Sequence, residues 1–221
     1  TSSIVRCLIH LLLTAAALPS SAAPDDQAAK PSEIRHSDLS VYRADDGTLK
    51  PIRTTEDWAL RRKQIIAGAE AAMGPMPSLE NQSAFDIKLT EDVRIGKVRR
   101  LTMTIAVGSS DRLPLDLYLP ESMADVVNVN DLLSSDSPTK LAAIVALHPT
   151  GAAGKRIVCG EGEKHGRQYG LELAQRGYVV IAPDYPSFGE YAKYDFTHDN
   201  YVSGTMKGIF NHRRCVDFLS A

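Results

Sequence analysis

The chain has 221 residues, of which 43% are hydrophobic and 24% are charged, with 25 basic against 27 acidic side chains. This composition is typical of one well-filled globular domain. The near-neutral charge balance argues against a nucleic-acid or anionic-membrane partner, because both need a concentrated positive field.

The first 23 residues have the pattern of a signal peptide. Arg6 is followed by the apolar run "CLIHLLLTAAAL" (7–18) and then by small residues up to Ala23, which is the order of charged, apolar and cleavage regions in such peptides. The run is shorter than the ~20 residues that span a bilayer. We therefore predict a signal peptide over 1–23, a secreted or periplasmic protein, and no membrane span after the peptide is removed.

Residues 24–54 are predicted to be a polar tail and loop, because prolines and the turn sequence "DDG" interrupt them. The next segment, "TEDWALRRKQIIAGAEAAM", predicts a helix over 55–73 with Thr55 as its N-cap and acidic residues in its first turn. Trp58 recurs with later apolar residues at helical spacing. We therefore expect Trp58 to lie in the core.

Two segments then alternate between apolar and polar residues, as half-buried strands do. The first, "FDIKLTEDVRIGKVRRLTMTIAV", alternates from Phe85 to Val107, and the second, "LPLDLYLPE", alternates from Leu113 to Leu119. The short polar linkers between strand-like runs predict an antiparallel meander. The polar stretch 122–139 predicts a surface loop.

After Lys140 come two continuous apolar runs, "LAAIVALH" and "GYVVIAPD", of the kind found in strands buried on both faces. Between them, "EKHGRQYGLELAQRG" predicts a helix from Glu163 that ends at Gly177, and a last helix is predicted over 201–219. Strand, helix and strand form a βαβ unit. The predicted fold class is therefore α/β, with antiparallel lead-in strands, then a parallel βαβ unit with flanking helices.

The loop after the first buried strand, "HPTGAAGKRIVCGEG", allows two kinds of chemistry. A phosphate-binding P-loop needs glycine where Pro149 stands and a hydroxyl where Arg156 stands, and proline has no N–H to offer phosphate. An oxyanion hole needs a backbone N–H just after such a strand. Since Pro149 cannot donate, we predict the amide of Thr150 as the donor, or less favourably that of Gly151, with His148 bracing the loop. A connecting loop without chemistry would have a similar sequence.

The segments "LHPTG", "YGLELAQRGY", "VVIAPDYPSFGEY" and "GTMKGIFNHRRCVDFL", in this order, resemble the dienelactone-hydrolase and acetyl-xylan-esterase-like branch of the α/β-hydrolase superfamily. The resemblance covers residues 55–221, and the Trp58 helix followed by "MGPMP" resembles the lead-in of exported bacterial members. It implies hydrolysis of an ester or related acyl bond in a small molecule or carbohydrate by a Ser-His-Asp triad. The residues then expected at the substrate are His148, Gly151, Tyr185 and Phe188.

The sequence departs from this family where the nucleophile should stand. No Gly-x-Ser-x-Gly occurs, and the elbow, which can carry Ser or Cys, is expected one strand beyond the helix that contains Cys215. We therefore expect the 221 residues to be the N-terminal part of a hydrolase domain, truncated before the elbow and lacking nucleophile, acid and base. On their own they should show no esterase activity.

Two other classes of function remain open. A non-catalytic binding module derived from an α/β-hydrolase would need a half-sheet that is stable alone. A metal-dependent hydrolase would have to use His148, Asp184 and His198, which have no metal-ligand spacing. We expect no metal and no cofactor. His212 is expected to be structural or exposed, and Asp184 to hold the turn after its strand.

The cysteines are too few to indicate a disulfide framework. Cys159 and Cys215 remain after the signal peptide, and in an oxidising compartment they could either pair or stay as free thiols. The oligomeric state has no signal in the sequence.

Overall fold

The computed structural model describes residues 34, 38–78, 84–108, 111–125, 141–162 and 165–221. The predicted signal peptide (1–23) and most of the predicted loop 122–139 lie outside these residues. The chain divides into two compact units, one ending at Gln64 and one beginning at Ile65. No helix in the described ranges is both long enough and apolar enough to cross a membrane.

The first unit contains a small hairpin that differs from the predicted tail and loop over 24–54. Strands β1 (Val41–Arg43) and β2 (Leu49–Pro51) pair antiparallel. Between them the Asp46 carboxylate accepts a hydrogen bond from the amide of Thr48. The "DDG" sequence thus forms the hairpin turn, whereas three-residue strands are too short to show an alternating pattern.

Helix α1 (Thr55–Met73) has the predicted bounds. Its N-cap is Thr54 rather than Thr55, because the Thr54 hydroxyl accepts from the amide of Asp57 at 3.1 Å and the Asp57 carboxylate accepts from the amide of Thr54 at 3.1 Å. The core placement of Trp58 is wrong, since its side chain is 50% exposed and α1 buries none of its residues. Its apolar residues do not form a single face, so helical spacing alone did not define a buried side.

The sheet lies in the second unit and begins with the predicted antiparallel meander. Strand β3 (Lys88–Ile95) turns at Gly96 into β4 (Val98–Ala106), and β4 pairs with β5 (Arg112–Leu119). Strands β4 and β5 are almost entirely buried on both faces, whereas their alternation of apolar and polar residues had indicated half-buried strands.

The predicted βαβ unit completes the sheet. Strand β6 (Ala143–Val145), helix α2 (Tyr169–Gln175) and strand β7 (Val179–Pro183) follow in order, and β6 pairs parallel to β7. Because β7 also pairs antiparallel to β5, the strand order is β3-β4-β5-β7-β6. Helix α2 begins at Tyr169, later than the predicted Glu163, which itself lies outside the described residues.

Strand β6 differs from its prediction. We expected "LAAIVALH" to be buried on both faces, but β6 has three residues, stands at the end of the sheet formed by the described strands, and leaves Ala143 exposed. Its second edge has no partner strand among the described residues. An apolar run therefore indicated a strand but not full burial.

Helices cover both faces of this sheet. On one face, Phe210 and Phe218 of helix α3 (Gly204–Ser220) belong to the same hydrophobic cluster as Leu117. On the other face, α2 packs Ala174 against Tyr118, since successive strand residues point to opposite sides. Cys159 and the fully buried Cys215 are free thiols. The result is a three-layer arrangement with a mixed sheet in the middle.

Candidate functional site

The candidate site lies where β6 and β7 end. The carboxyl ends of neighbouring parallel strands meet at one edge of a sheet, so the loops that follow them lie side by side. The loop after β6 begins at Ala146 and the loop after β7 begins at Asp184. Every residue predicted at the substrate belongs to one of these two loops.

His148 joins the two loops. Its Nε2 accepts a hydrogen bond from the backbone N–H of Tyr185 at 3.0 Å, so in this arrangement its Nδ1 carries the proton and donates to the carbonyl of Pro149 at 2.9 Å. Both ring nitrogens are therefore occupied while the imidazole is neutral. His148 braces the loops and is not available as a general base in this geometry.

Thr150 and Gly151 stand at the turn of the first loop. Thr150 is exposed, and neither its amide N–H nor that of Gly151 donates a hydrogen bond to another residue in the described part of the chain. Backbone amides without internal partners near the surface are free to bind a ligand oxygen. The two amides predicted as donors therefore have no partner among the described residues.

A buried ion pair fixes the shape of the loop that carries Thr150. The Lys155 ammonium lies 2.8 Å from an Asp184 carboxylate oxygen, and the Lys155 amide donates to the other oxygen at 2.7 Å. The two side chains are 1% and 0% exposed. Glu190 completes the arrangement, since its amide donates to Asp184 and its carboxylate lies 2.8 Å from the Lys155 ammonium. Lys155 is thus enclosed rather than presented to a phosphate, and Asp184 holds the following turn as predicted.

Two glycines allow the loops to close around Asp184. Gly154 and Gly189 have φ of +54° and +55°, a region that favours glycine. A Cβ at either position would lie less than 3.0 Å from an Asp184 carboxylate oxygen. Gly154 and Gly189 are therefore required by the buried carboxylate, which explains the glycine before Lys155 without a bound phosphate.

Arg156 fastens the same loop to the antiparallel strands. Its guanidinium reaches Glu91 on β3 at 3.0 Å, Asp116 on β5 at 3.2 Å and the Thr102 hydroxyl on β4 at 3.1 Å. Hydrogen bonds from Arg156 and then from Arg100 hold the pKa of Glu91 down at about 2. Burial has the opposite effect on Asp116 and raises its pKa, against the nearby Lys155 and Arg156 charges. The loop is therefore anchored on one side to Asp184, directly after β7, and on the other to β3–β5.

Tyr185 connects the loops to helix α3. Its hydroxyl donates to the carbonyl of Gly204 at 2.8 Å, and its ring lies on Gly208, where a Cβ would come within less than 3.0 Å of three ring carbons. One turn further along α3, the ring of His212 lies 6.1 Å from that of Tyr185, centroid to centroid. Residues 204, 208 and 212 thus form one stripe of α3 against Tyr185.

Phe188 and His212 complete the cluster. The Phe188 ring lies 5.8 Å from His148 and 6.5 Å from Tyr185, both centroid to centroid. Burial, and then the neighbouring His148, lower the pKa of His212 to about 4. A largely apolar wall thus lies beside the loop that follows β6, which we call the Thr150 loop. The wall, which we call the aromatic cluster, consists of His148, Tyr185, Phe188 and His212.

The contact between Tyr185 and Gly208 gives a direct test of this arrangement. We expect Gly208→Ala to destabilise the protein by about 1–3 kcal/mol, because the added methyl would displace the Tyr185 ring. Gly68, in the exposed middle of α1 with no atom within 4 Å of its would-be Cβ, is the matched control. There the same substitution should stabilise by about 0.5–1 kcal/mol. Urea unfolding of both variants measures the difference, and equal effects would contradict the packing described.

The residues of the metal-site alternative are engaged elsewhere. His148 accepts from Tyr185, Asp184 binds Lys155, and the His198 ring lies 2.6 Å from the carboxylate of Asp195. No group of three or more His, Cys, Asp or Glu side chains converges as metal ligands within the described ranges.

Sequence reasoning missed the residues that hold the site in place. Lys155 and Arg156 were weighed only as phosphate-loop residues, because their partners are 29 and 65 residues away in the chain. The spacing of Gly204, Gly208 and His212 was a usable signal, since two glycines four residues apart in a predicted helix indicate close packing of another element.

The comparisons with known proteins bear on the fold. No protein-family model and no curated protein matches the sequence. Among solved structures, the fold is similar to that of a protein from Bacteroides fragilis provisionally named an acetyl xylan esterase, with a TM-score of 0.51 and 14% identity. The match covers 74% of this chain and 43% of the other. The chain thus shares a mixed α/β fold with an esterase-like structure and spans less than half of that structure's length.

Proposed function

We propose that this chain is the N-terminal part of an exported serine esterase-like hydrolase with an α/β-hydrolase sheet, acting on an ester or related acyl bond of a small molecule or carbohydrate. The observation that carries the proposal is the Thr150 loop. It is a turn after a parallel strand, with backbone N–H groups that have no partner among the described residues, held by the buried Lys155–Asp184 pair and by the partly exposed ion pairs of Arg156.

Rigidity is what such a loop must have to stabilise a transition state. A backbone N–H stabilises a developing oxyanion best when it already points at the place where charge appears, because it then needs no reorganisation during the reaction. Lys155 fixes the loop to Asp184, directly after β7, and Arg156 fixes it to Glu91 on β3. The likeness to an esterase structure supports the same reading of the fold.

The nucleophile is proposed to lie on a strand beyond α3. A further parallel strand can pair with the edge of β6 that has no partner among the described strands, and its carboxyl end would then stand beside the Thr150 loop. A serine or cysteine at a strand-to-helix elbow there would place the second oxyanion donor next to the first. Ile144 and Val145 on β6 are half-buried and would be covered by such a strand.

The test uses the complete gene product, translated through whatever sequence follows Ala221, beside the 221-residue chain. We expect the complete product to hydrolyse p-nitrophenyl acetate and to be labelled at one residue by a serine-directed fluorophosphonate, and the 221-residue chain to do neither. Turnover and labelling by the shorter chain would contradict the placement of the nucleophile. A complete product with neither property would exclude a serine hydrolase.

The second candidate is the non-catalytic binding module. The observation in its favour is the charge network around Lys155 and Arg156, which gives the loops a stable shape without any catalytic group. Cooperative thermal unfolding of the 221-residue chain, combined with an inactive complete product, would favour this function over the hydrolase.

A further inference from the structure

We propose that His212 is a substrate-binding residue of this site, which hydrogen-bonds the ester through its neutral imidazole. The inference rests on the proposed function and adds a residue that neither the loop motifs nor the family resemblance assigns. Two neighbouring histidines, His148 and His212, both contact Tyr185 but differ in their hydrogen bonds.

The first histidine has no capacity left for a ligand. His148 uses Nε2 to accept from Tyr185 and Nδ1 to donate to Pro149. By contrast, neither ring nitrogen of His212 forms a hydrogen bond with any residue in the described part of the chain. Neither nitrogen is fully buried. The imidazole of His212 therefore keeps one donor and one acceptor for a molecule that enters from outside.

Its position is fixed by packing rather than by hydrogen bonds. Helix α3 places His212 one turn beyond Gly208, and the Tyr185 ring lies across both. The Tyr185 hydroxyl is held by the Gly204 carbonyl and its amide by His148, so the surface beside His212 cannot easily shift. A binding group held in this way loses little conformational entropy when the ligand arrives.

The surroundings keep His212 uncharged. Burial lowers its pKa to about 4, and the neighbouring His148 acts in the same direction. Its other ionisable neighbour, Tyr185, is bound to Gly204. At neutral pH the side chain is therefore a neutral imidazole, which suits the carbonyl oxygen or hydroxyl groups of an uncharged ester better than a carboxylate. The rings of Tyr185 and Phe188 offer apolar contact to the rest of such a substrate.

The experiment compares two variants of the complete gene product. His212→Phe keeps the ring but removes both hydrogen-bonding nitrogens, and His212→Gln keeps a neutral donor and acceptor. With p-nitrophenyl acetate we expect His212→Phe to raise KM about tenfold, as loss of one well-placed hydrogen bond does, with kcat less affected. His212→Gln should recover most of the wild-type KM. The Tm values of the variants should not follow the order of their KM values. A histidine with only a structural role would instead change Tm and leave KM unchanged.

A binding measurement separates this inference from the proposed function. The unreactive amide p-nitroacetanilide is titrated into the complete gene product while the ring nitrogens of His212 are followed by NMR, assigned by their absence from His212→Phe. A saturable shift of these resonances supports the inference even if no ester is turned over. Unchanged resonances, or equal KM values for the wild type and both variants, would overturn it and leave the hydrolase proposal standing if turnover is seen.

Discussion

Replacing Thr150 by proline is expected to lower kcat of the complete gene product by about 100- to 1,000-fold, the usual cost of losing one oxyanion-hole donor. Proline has no backbone N–H, so Thr150→Pro removes the proposed donor while leaving the ion pairs of Lys155 and Arg156 in place. KM should change much less, because the donor acts on charge that develops only in the transition state.

The control for this prediction is Thr150→Ala. Alanine removes the hydroxyl but keeps the N–H, and Thr150 is exposed, so both kcat and stability should stay close to wild type. Steady-state kinetics with p-nitrophenyl acetate and a thermal melt are measured for each variant. If alanine and proline lower kcat equally, or if proline has no effect on a protein that still melts normally, Thr150 is not the donor.

Breaking the buried ion pair of the loop is expected to have the largest effect on stability. Lys155→Met leaves the Asp184 carboxylate in place without its cation, and removing one partner of a buried pair costs about 3–5 kcal/mol. Asp184 would keep the two backbone amides of Lys155 and Glu190, which is why we do not expect complete unfolding. Chemical denaturation measures the loss.

An exposed ion pair supplies the matched control. The Lys97 ammonium lies 3.0 Å from a Glu121 carboxylate oxygen, close to the 2.8 Å of the Lys155–Asp184 pair, but the two side chains are 76% and 65% exposed. Lys97→Met should therefore cost no more than about 1 kcal/mol. A double-mutant cycle with Asp184→Asn isolates the interaction between Lys155 and Asp184. A loss below about 1 kcal/mol for Lys155→Met would show that the pair does not hold the loop.

The parts of the fold that could be predicted are those whose signal is local and repeated. Strands β4 and β5 alternate over eight or nine residues, and the βαβ unit combines two apolar runs with a helix between them. The errors occur where a strand is short or where the apolar residues of a helix do not form a single face. Strand β6 has three residues in the structure, and Trp58 recurs at helical spacing on a helix that buries no residue.

The site also contains parts that could be predicted from the sequence and parts that could not. The placement of His148 and Thr150 follows from chain order, because both come directly after a strand. The pairing of Lys155 with Asp184 does not, since their contact depends on how two loops meet in space. The spacing of Gly204 and Gly208 indicates that another element packs closely on this helix, but only the structure shows that this element is Tyr185.

The two anchors of the Thr150 loop also determine when it forms during folding. The bond from Lys155 to Asp184 closes a span of 29 residues, and that from Arg156 to Glu91 closes one of 65. Contacts of such long range form only after the strands that carry the partners have assembled. We therefore expect the loop to be among the last parts of the protein to become ordered. Substitutions at Lys155 should therefore accelerate unfolding and leave the rate of folding almost unchanged.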